Sequence, residues 1–216
     1  MNINGLYEIY IQFCPLSQNN IFTHNTMIGI TIRPATEQDA SIIARCVFAA
    51  IELLDFDTDV PAEMITPLKK LEQATLDNSR LYSCHNSLIA EIEEEAVGCL
   101  ISYNGDRYAA MRKRTFDILY DESGIDLRGN PMETCTGEYY LDCMAIKRKY
   151  RGKGIGHRLM VKAMENGKNM GIKRFTLLVE KSHKHLAEYY AKLGFTPMEE
   201  LFAFGTEYVK MIFSTN

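Results

Sequence analysis

From Met144 to Gly156 the chain reads Met-Ala-Ile-Lys-Arg-Lys-Tyr-Arg-Gly-Lys-Gly-Ile-Gly. Residues of these types at this spacing can hold an anion. Gly152, Gly154 and Gly156 carry no Cβ, so their backbone N–H groups can approach a ligand closely. A helical pattern starts directly behind them, and the first N–H groups of a helix have no intrahelical partner and sit at the positive end of its dipole. Arg151 and Lys153 add charge at the same mouth. The ligand such a cradle fits is a diphosphate.

Spacing removes two common diphosphate loops. A Walker loop needs Gly, four residues and then Gly-Lys-Ser/Thr, a run this chain lacks. A dinucleotide fingerprint needs G-x-G-x-x-G, and Gly152-Lys153-Gly154-Ile155-Gly156-His157 breaks it. The spacing that fits is Arg-x-x-Gly-x-Gly, met by Arg151, Gly154 and Gly156. A second motif follows, Ala187-Glu188-Tyr189-Tyr190-Ala191-Lys192-Leu193-Gly194-Phe195. With these two motifs in this order the chain resembles the GNAT N-acetyltransferase superfamily. In that family the first loop joins the fourth strand to the third helix and binds the pyrophosphate of acetyl-CoA, and the next helix ends Tyr-x-x-x-Gly-Phe.

The resemblance implies an acetyl-CoA-dependent acyltransferase without a metal. It implies an α/β fold with a mixed central sheet flanked by helices, in which the fourth and fifth strands splay apart to bind CoA. Carried over position by position, the amides of Met144, Ala145 and Ile146 would hold the pantetheine and the thioester carbonyl. The Arg151 side chain and the amides of Gly152, Lys153, Gly154, Ile155, Gly156 and His157 would take the diphosphate. Tyr190, four residues before Gly194, stands where the family has its general acid; a phenol with a pKa of ~10 is protonated at neutral pH and can pass its proton to a thiolate.

Two positions depart from the family. Many members carry a basic glutamate on the fourth strand where this chain has Tyr140. Strand alternation would put Glu138, Tyr140, Asp142 and Met144 on one face, so Asp142 and Glu138 are the candidate bases, Asp142 first because it is nearer the thioester-binding amides. Burial would raise the pKa of such a carboxylate. The second departure is His183, where relatives place an asparagine that bonds the pantetheine arm. His183 can make that bond, or, with Lys181, Lys184 and His185, an adenine-phosphate contact. His-x-His with no carboxylate at recognisable spacing does not describe a metal site.

These residues need elements to hold them. Tyr139 to Ile146 is β-rich and ends one short turn before the glycines. Ile155, Leu159, Met160 and Ala163 recur at helical spacing behind them. Phe175 to Val179 reads as a buried strand. Upstream, Ile28 to Ala35 reads as a first strand, followed by a helix through Ala40, Ile43, Ala44, Val47, Phe48 and Ile51 that Thr36 and Asp39 could cap. An acidic break at 55–61 precedes a second helix from about Ala62 to Asp77. Ser87 to Glu93 and Ala96 to Tyr103 form strands about Glu93-Glu94-Glu95, read as a solvated hairpin turn. Thr196 to Met198 and Tyr208 to Phe213 supply the last two strands.

The domain is expected to span 28–216, with 1–27 an N-terminal extension outside the core and Met27 a candidate start of translation. The stretch at about 105–137, helical from Tyr108 to Tyr120 and turn-rich after it, reads as an insertion between the third and fourth strands. Such a segment can shape the acceptor site or run over the surface without touching it. Closed against the C-terminal hairpin it would favour a small-molecule amine; an open groove there would favour a protein N-terminus or lysine. Absence of the usual glutamate also leaves a non-catalytic CoA-binding regulatory domain as a reading.

Composition bounds the remainder. Of 216 residues, 46% are hydrophobic and 24% charged, enough for one ordinary globular core. The net charge of −4 argues against a general nucleic-acid binder, and the basic run 147–153 reads as a local ligand site. No apolar run approaches the ~20 residues of a membrane span. Six cysteines occur without C-x-x-C or metal spacing, which fits reduced thiols and a cytoplasmic protein. The expected partner is a small-molecule amine, with no nucleic acid or membrane, and the resemblance allows a homodimer.

Overall fold

A computed structural model describes residues 29–50, 53–124 and 126–215. The expected extension 1–27 lies outside the described residues.

Seven strands form one sheet: β1 (Ile30–Pro34), β2 (Ser87–Ile92), β3 (Glu95–Asn104), β4 (Glu138–Ile146), β5 (Arg174–Glu180), β6 (Thr196–Ala203) and β7 (Thr206–Ser214). Their order is β1-β2-β3-β4-β5-β7-β6. Every pair is antiparallel except β4 with β5, which gives the expected mixed sheet. Two-residue turns make the hairpins. Glu93 and Glu94 have φ of 49° and 66°, and Phe204 and Gly205 have φ of 51° and 87°, the sign that matches the right-handed twist of paired strands.

The helices are α1 (Ala40–Ala50), α2 (Ala62–Ala74), α3 (Tyr108–Ser123), α4 (Ile155–Asn169) and α5 (Lys184–Lys192). Asp39 helps to start the first, accepting from the Thr36 N–H at 2.7 Å. The helices α1, α2 and α3 pack with one face of the sheet around Phe48, Leu71, Tyr108 and Phe116. The other face buries the predicted stripe of α4, Ile155, Leu159, Met160 and Ala163, together with Leu186 and Tyr190 of α5. The element order is the expected one with α3 added, and α3 fills much of the predicted insertion.

That insertion is pinched at its base. A Cβ at Gly105 would lie 2.1 Å from the Cys135 carbonyl oxygen, so only glycine lets the two ends meet. Asp106 Oδ1 accepts from the Gly137 N–H at 3.1 Å and completes the closure. Between these ends, Met111, Phe116 and Leu119 face the core. Arg112 Nη2 donates to the carbonyls of Asn130 at 2.6 Å and Leu127 at 3.4 Å, fastening the loop after α3 to the helix. Asn130 Oδ1 in turn accepts from the Phe204 N–H. The segment is thus packed against the C-terminal hairpin.

Simple alternation fails on β4. Ile101 pairs with Cys143, and the next residue, Ser102, pairs with Leu141, so Asp142 is the extra residue of a bulge. A bulge re-aims side chains beyond it. Tyr140 and Cys143 pack on the α1 side, whereas Tyr139, Leu141, Met144 and Ile146 pack on the α4 side. Met144 therefore does not share a face with Tyr140.

Glu138 is 0% exposed and is held by charge. It meets Lys210 Nζ at 2.9 Å and Arg174 Nη2 at 3.0 Å, and accepts from the hydroxyls of Thr134 at 2.9 Å and Thr176 at 3.3 Å. Burial pushes its carboxyl up, but Lys210, Thr134 and Arg174 outweigh burial and leave its pKa below the ordinary value. A carboxylate so committed ties β4 to β5 and β7 and is a poor proton acceptor; the expectation that Glu138 serves as a base is corrected accordingly. Glu138→Ala, which leaves buried Lys210 with the more distant, exposed Glu199 at 3.5 Å, should cost about 3 kcal/mol in urea denaturation at neutral pH. Because the folded pKa is depressed, the difference should be full above the unfolded value of ~4.3 and shrink as pH falls through the lower folded value.

Candidate active site

The glycine loop is built as its spacing requires. After β4 a single 3-10 turn, Arg148–Tyr150, leads to Gly152 and Gly154, whose φ values of +73° and +75° are left-handed. Gly154 caps α4, and the Arg158 N–H donates to the Gly154 carbonyl at 3.1 Å as the helix begins. The N–H groups of Ile155, Gly156 and His157 precede it and belong to the unsatisfied first turn. Gly156 lets the helix start lie on β4: a Cβ there would be 3.3 Å from Met144 Cε and Ile146 Cδ1. Arg151 Nε donates to the Ile146 carbonyl at 2.8 Å and ties the loop to the strand end.

The surrounding cations are less available than the run suggests. Glu95 binds Lys147 Nζ at 2.8 Å and Lys149 Nζ at 3.2 Å, and accepts from Tyr150 Oη at 2.7 Å. Lys147, Tyr150 and Lys149 hold its carboxyl down at about 2, so Glu95 is an ionic anchor and not merely a solvated turn residue. Arg148 pairs with Asp55 at 2.5 Å through its side chain and with Asp57 through its backbone N–H. Lys153 Nζ stands 5.2 Å from the Tyr150 ring. A cleft of about 870 Å³ opens here between Arg45, Phe56, Asp57, Glu95 and Arg148. It is lined by neither Asp142 nor Tyr190, and we place no chemistry in it.

Beside the loop, β4 and β5 part. Their ladder consists of Glu138↔Arg174, Tyr139↔Phe175 and Tyr140↔Thr176, while β5 stays paired with β7 from Arg174 to Glu180. Met144, Ala145 and Ile146 lie beyond the last β4–β5 pair. Here a ligand can enter the sheet and meet strand amides without displacing a neighbouring strand.

The candidate base lies at the bulge. Asp142 is half-buried, with Oδ2 accepting from Tyr103 Oη at 2.6 Å and Oδ1 from Cys143 Sγ at 3.3 Å. Burial raises its carboxyl to about 6, against the lowering by Tyr103 and Cys143. A second carboxylate, absent from the sequence reading, sits close by. Glu133 is buried and accepts from Tyr108 Oη and Tyr140 Oη, each at 2.8 Å. Burial, then the Asp142 charge, raise it to about 7. No periodicity or motif marks Glu133, because it lies in an irregular stretch. Tyr140, standing where relatives have a glutamate, therefore brings a carboxylate to the site through its hydroxyl.

Tyr190 is on the opposite face. It is buried beside Phe195, with ring centroids 5.9 Å apart, and Tyr189, at 5.4 Å. Burial pushes its phenol up, so it keeps its proton at neutral pH. It shares an apolar cluster with Ile146, Ile155 and partly buried Met144; the fold thus joins it to the loop and the strand end. His183 is buried at the start of α5, its Nδ1 4.0 Å from Glu180 Oε2 and without a hydrogen-bond partner among the described residues. A buried polar atom of this kind is one a bound ligand can satisfy. Among the described residues no group of three or more His, Cys, Asp or Glu is placed to hold a metal, and no helix is long and apolar enough to cross a membrane.

Comparison with known proteins gives concordant results. The sequence model of the acetyltransferase (GNAT) family matches residues 51–195. The uncharacterised N-acetyltransferase YobR of Bacillus subtilis (strain 168) is 30% identical over 87 residues, 40% of this chain and 35% of that protein. The matched region therefore spans about a third of that relative. A crystal structure of an acetyltransferase superposes with a TM-score of 0.68 at 24% identity, over 86% of this chain and 100% of that one. The PaiA N-acetyltransferase of Thermoplasma acidophilum, in complex with coenzyme A, superposes with a TM-score of 0.56 at 16% identity, over 87% of this chain and 100% of its own. These structures are similar in fold.

Gly154→Ala tests the loop. A side chain at φ +75° costs about 1–2 kcal/mol. If the observed loop conformation is the one that binds, the dissociation constant for coenzyme A, read by calorimetry, should rise about five- to thirtyfold.

Proposed function

The chain belongs to the acetyltransferase (GNAT) family, and on that premise we propose that it transfers the acetyl group of acetyl-CoA to the primary amine of a small molecule by direct attack. The observation that carries this reading is the placement of two unlike sites on one strand. The left-handed glycines and free helix start follow the end of β4; the half-buried Asp142 stands on its bulge. One can hold the donor while the other faces the acceptor.

Acetyl-CoA supplies the activated acyl group. The amides around Met144, Ala145 and Ile146 would orient its carbonyl, and donors set in advance where negative charge develops are an effective catalytic device. The first turn of α4, from Gly154 to His157, would take the diphosphate, and the buried Nδ1 of His183 the pantetheine arm. Asp142 accepts a proton from the acceptor ammonium. The freed amine lone pair forms the new C–N bond, the C–S bond breaks, and Tyr190 gives its proton to the departing sulfur. A second amine proton leaves to solvent, and the proton on Asp142 returns through solvent to the Tyr190 phenolate, so both groups are restored and the net products are an amide, a thiol and one proton.

A small acceptor is supported by the closure of 105–137. Arg112 holds Leu127 and Asn130, and Asn130 bonds Phe204 of the C-terminal hairpin, the closed arrangement that favours a small acceptor. The free thiols of buried Cys46, Cys84, Cys99 and Cys143 and exposed Cys135 support a reducing, cytoplasmic setting.

A panel of small amines and of peptides with free N-termini or lysines, incubated with acetyl-CoA and scored for free thiol, tests the function. Acetylation of a small amine is expected. Turnover with peptides alone would reverse the substrate assignment, and coenzyme binding with no turnover would leave a binding domain. Tyr190→Phe should lower kcat about tenfold or more with little change in acetyl-CoA affinity; unchanged turnover would remove its role as acid. Asp142→Asn should lower kcat about a hundredfold or more. In the wild type the rate should rise with pH through a limb at about 6 or above, well clear of the ~3.9 of an ordinary aspartate.

A further inference from the structure

Glu133 is a buried carboxylate that this reaction leaves unused. It differs from Glu138, whose charge is met by Lys210 and Arg174. The partners of Glu133 are phenols: Tyr108 Oη on one oxygen and Tyr140 Oη on the other, each at 2.8 Å. Arg112, one helical turn beyond Tyr108, directs its Nη atoms to the carbonyls of Leu127, Arg128 and Asn130. A buried carboxylate bonded to neutral donors is expensive to ionise.

The tyrosines that hold Glu133 pack against the one that holds Asp142. Tyr103, which donates to Asp142 Oδ2 at 2.6 Å, stacks on Tyr108 with centroids 6.0 Å apart and 13° between the planes. It also lies 5.8 Å from the Tyr140 ring, and Tyr108 and Tyr140 are 6.5 Å apart. Three packed rings therefore carry Asp142 through one hydroxyl and Glu133 through two. The block is dry, since Tyr103, Tyr108 and Tyr140 are at most 2% exposed. Within such a medium two like charges interact strongly.

We propose that Glu133 and Asp142 form a coupled carboxylate pair, in which Glu133 is a positioning residue that holds Asp142 basic enough to deprotonate the acceptor ammonium. This rests on the assignment of Asp142 as the base. The Asp142 charge raises Glu133, and because coupling between two charges is reciprocal an ionised Glu133 raises the proton affinity of Asp142; Asp142, the more exposed of the two, exchanges protons with the acceptor. The N–H bond of the ammonium breaks, its proton passes to an Asp142 oxygen, and the amine keeps the electron pair.

Asp142 is raised to about 6 by burial and Glu133 to about 7 by burial and the Asp142 charge. Besides the three ring phenols, Tyr82, Cys143 and Cys46 are the titratable neighbours, and burial raises each of them well above its ordinary value; none ionises near neutrality. Arg112 is the cation that acts on Glu133, lowering it less than burial raises it. The pair should titrate as a unit.

The experiment compares pH profiles of wild-type protein, Glu133→Gln and Glu133→Asp, using the best amine of the panel. In Glu133→Gln the acid limb of kcat/KM should move down by about one pH unit, and plateau kcat should fall about three- to tenfold because the remaining base is weaker. Glu133→Asp should restore the limb towards its wild-type position, a recovery that simple loss of packing does not produce. An acid limb that stays in place in a Glu133→Gln protein with normal acetyl-CoA binding would overturn the pair. Should that variant not fold, infrared difference titration of the carboxyl groups in wild type and Asp142→Asn decides the matter. Coupling requires a carboxyl that titrates near pH 7 in the wild type and at lower pH once Asp142 is neutral; an unmoved midpoint overturns the proposal. Full activity of Asp142→Asn would instead remove the base assignment itself, so the two failures are separable.

Discussion

Glu138 carries a negative charge into a position with no solvent exposure, and the sheet is arranged around that fact. Its partners come from β5, as Arg174 and Thr176, and from β7, as Lys210. Removing a charge from water is costly unless paired charges and hydrogen bonds replace the lost solvent, so these strands are held to β4 at this point. The three β4–β5 pairs begin there, with Glu138 opposite Arg174. Beyond Tyr140 and Thr176 the ladder stops, and the strands diverge. The opening that can admit a thioester is thus the free end of a joint closed by a buried ion-pair cluster.

The bulge at Asp142 lets the free part of β4 serve both faces of the sheet. In an unbroken strand Tyr140, Asp142 and Met144 would point the same way. The extra residue sends Met144 towards the α4 face, where Gly156 brings the helix start against it. It leaves Asp142 on the α1 side, beside Tyr103 and Cys143. The groups proposed to bind the donor and to accept the proton therefore lie on opposite faces of one strand, and both are held on regular structure.

The segment 105–137 shows how an irregular stretch acquires a definite role. Contact between Gly105 and Cys135 closes it, α3 gives it an apolar face, and Arg112 and Asn130 fasten its outer part to the C-terminal hairpin. Its final residues place Glu133 beneath Tyr140. Tyr140 stands where the resemblance leads one to expect a glutamate, and the Glu133 carboxylate bonds its hydroxyl from a different part of the chain. The basic turn 147–151 is likewise anchored from a distance, by Glu95, Asp55 and Asp57.

Local chemistry was legible from residue order alone. Glycine spacing identified the left-handed turn ahead of α4, because left-handed φ and close approach are properties of a few consecutive residues. The stripe of α4, the apolar strands and the Tyr190-to-Phe195 motif were readable for the same reason, since each depends on neighbours within a turn or two. Position in the sheet was not. The β4 bulge depends on pairing with β3, and the commitment of Glu138 depends on Lys210, far along the chain. Glu133 lacks any local pattern and gains its surroundings only when Tyr108 and Tyr140 converge on it. Sequence by itself determined the fold family and the glycine turn ahead of α4; the tertiary structure decided which carboxylates are paired in holding strands together and which are buried without a cation in hydrogen-bond contact, because burial and long-range partners set the energy of a charge.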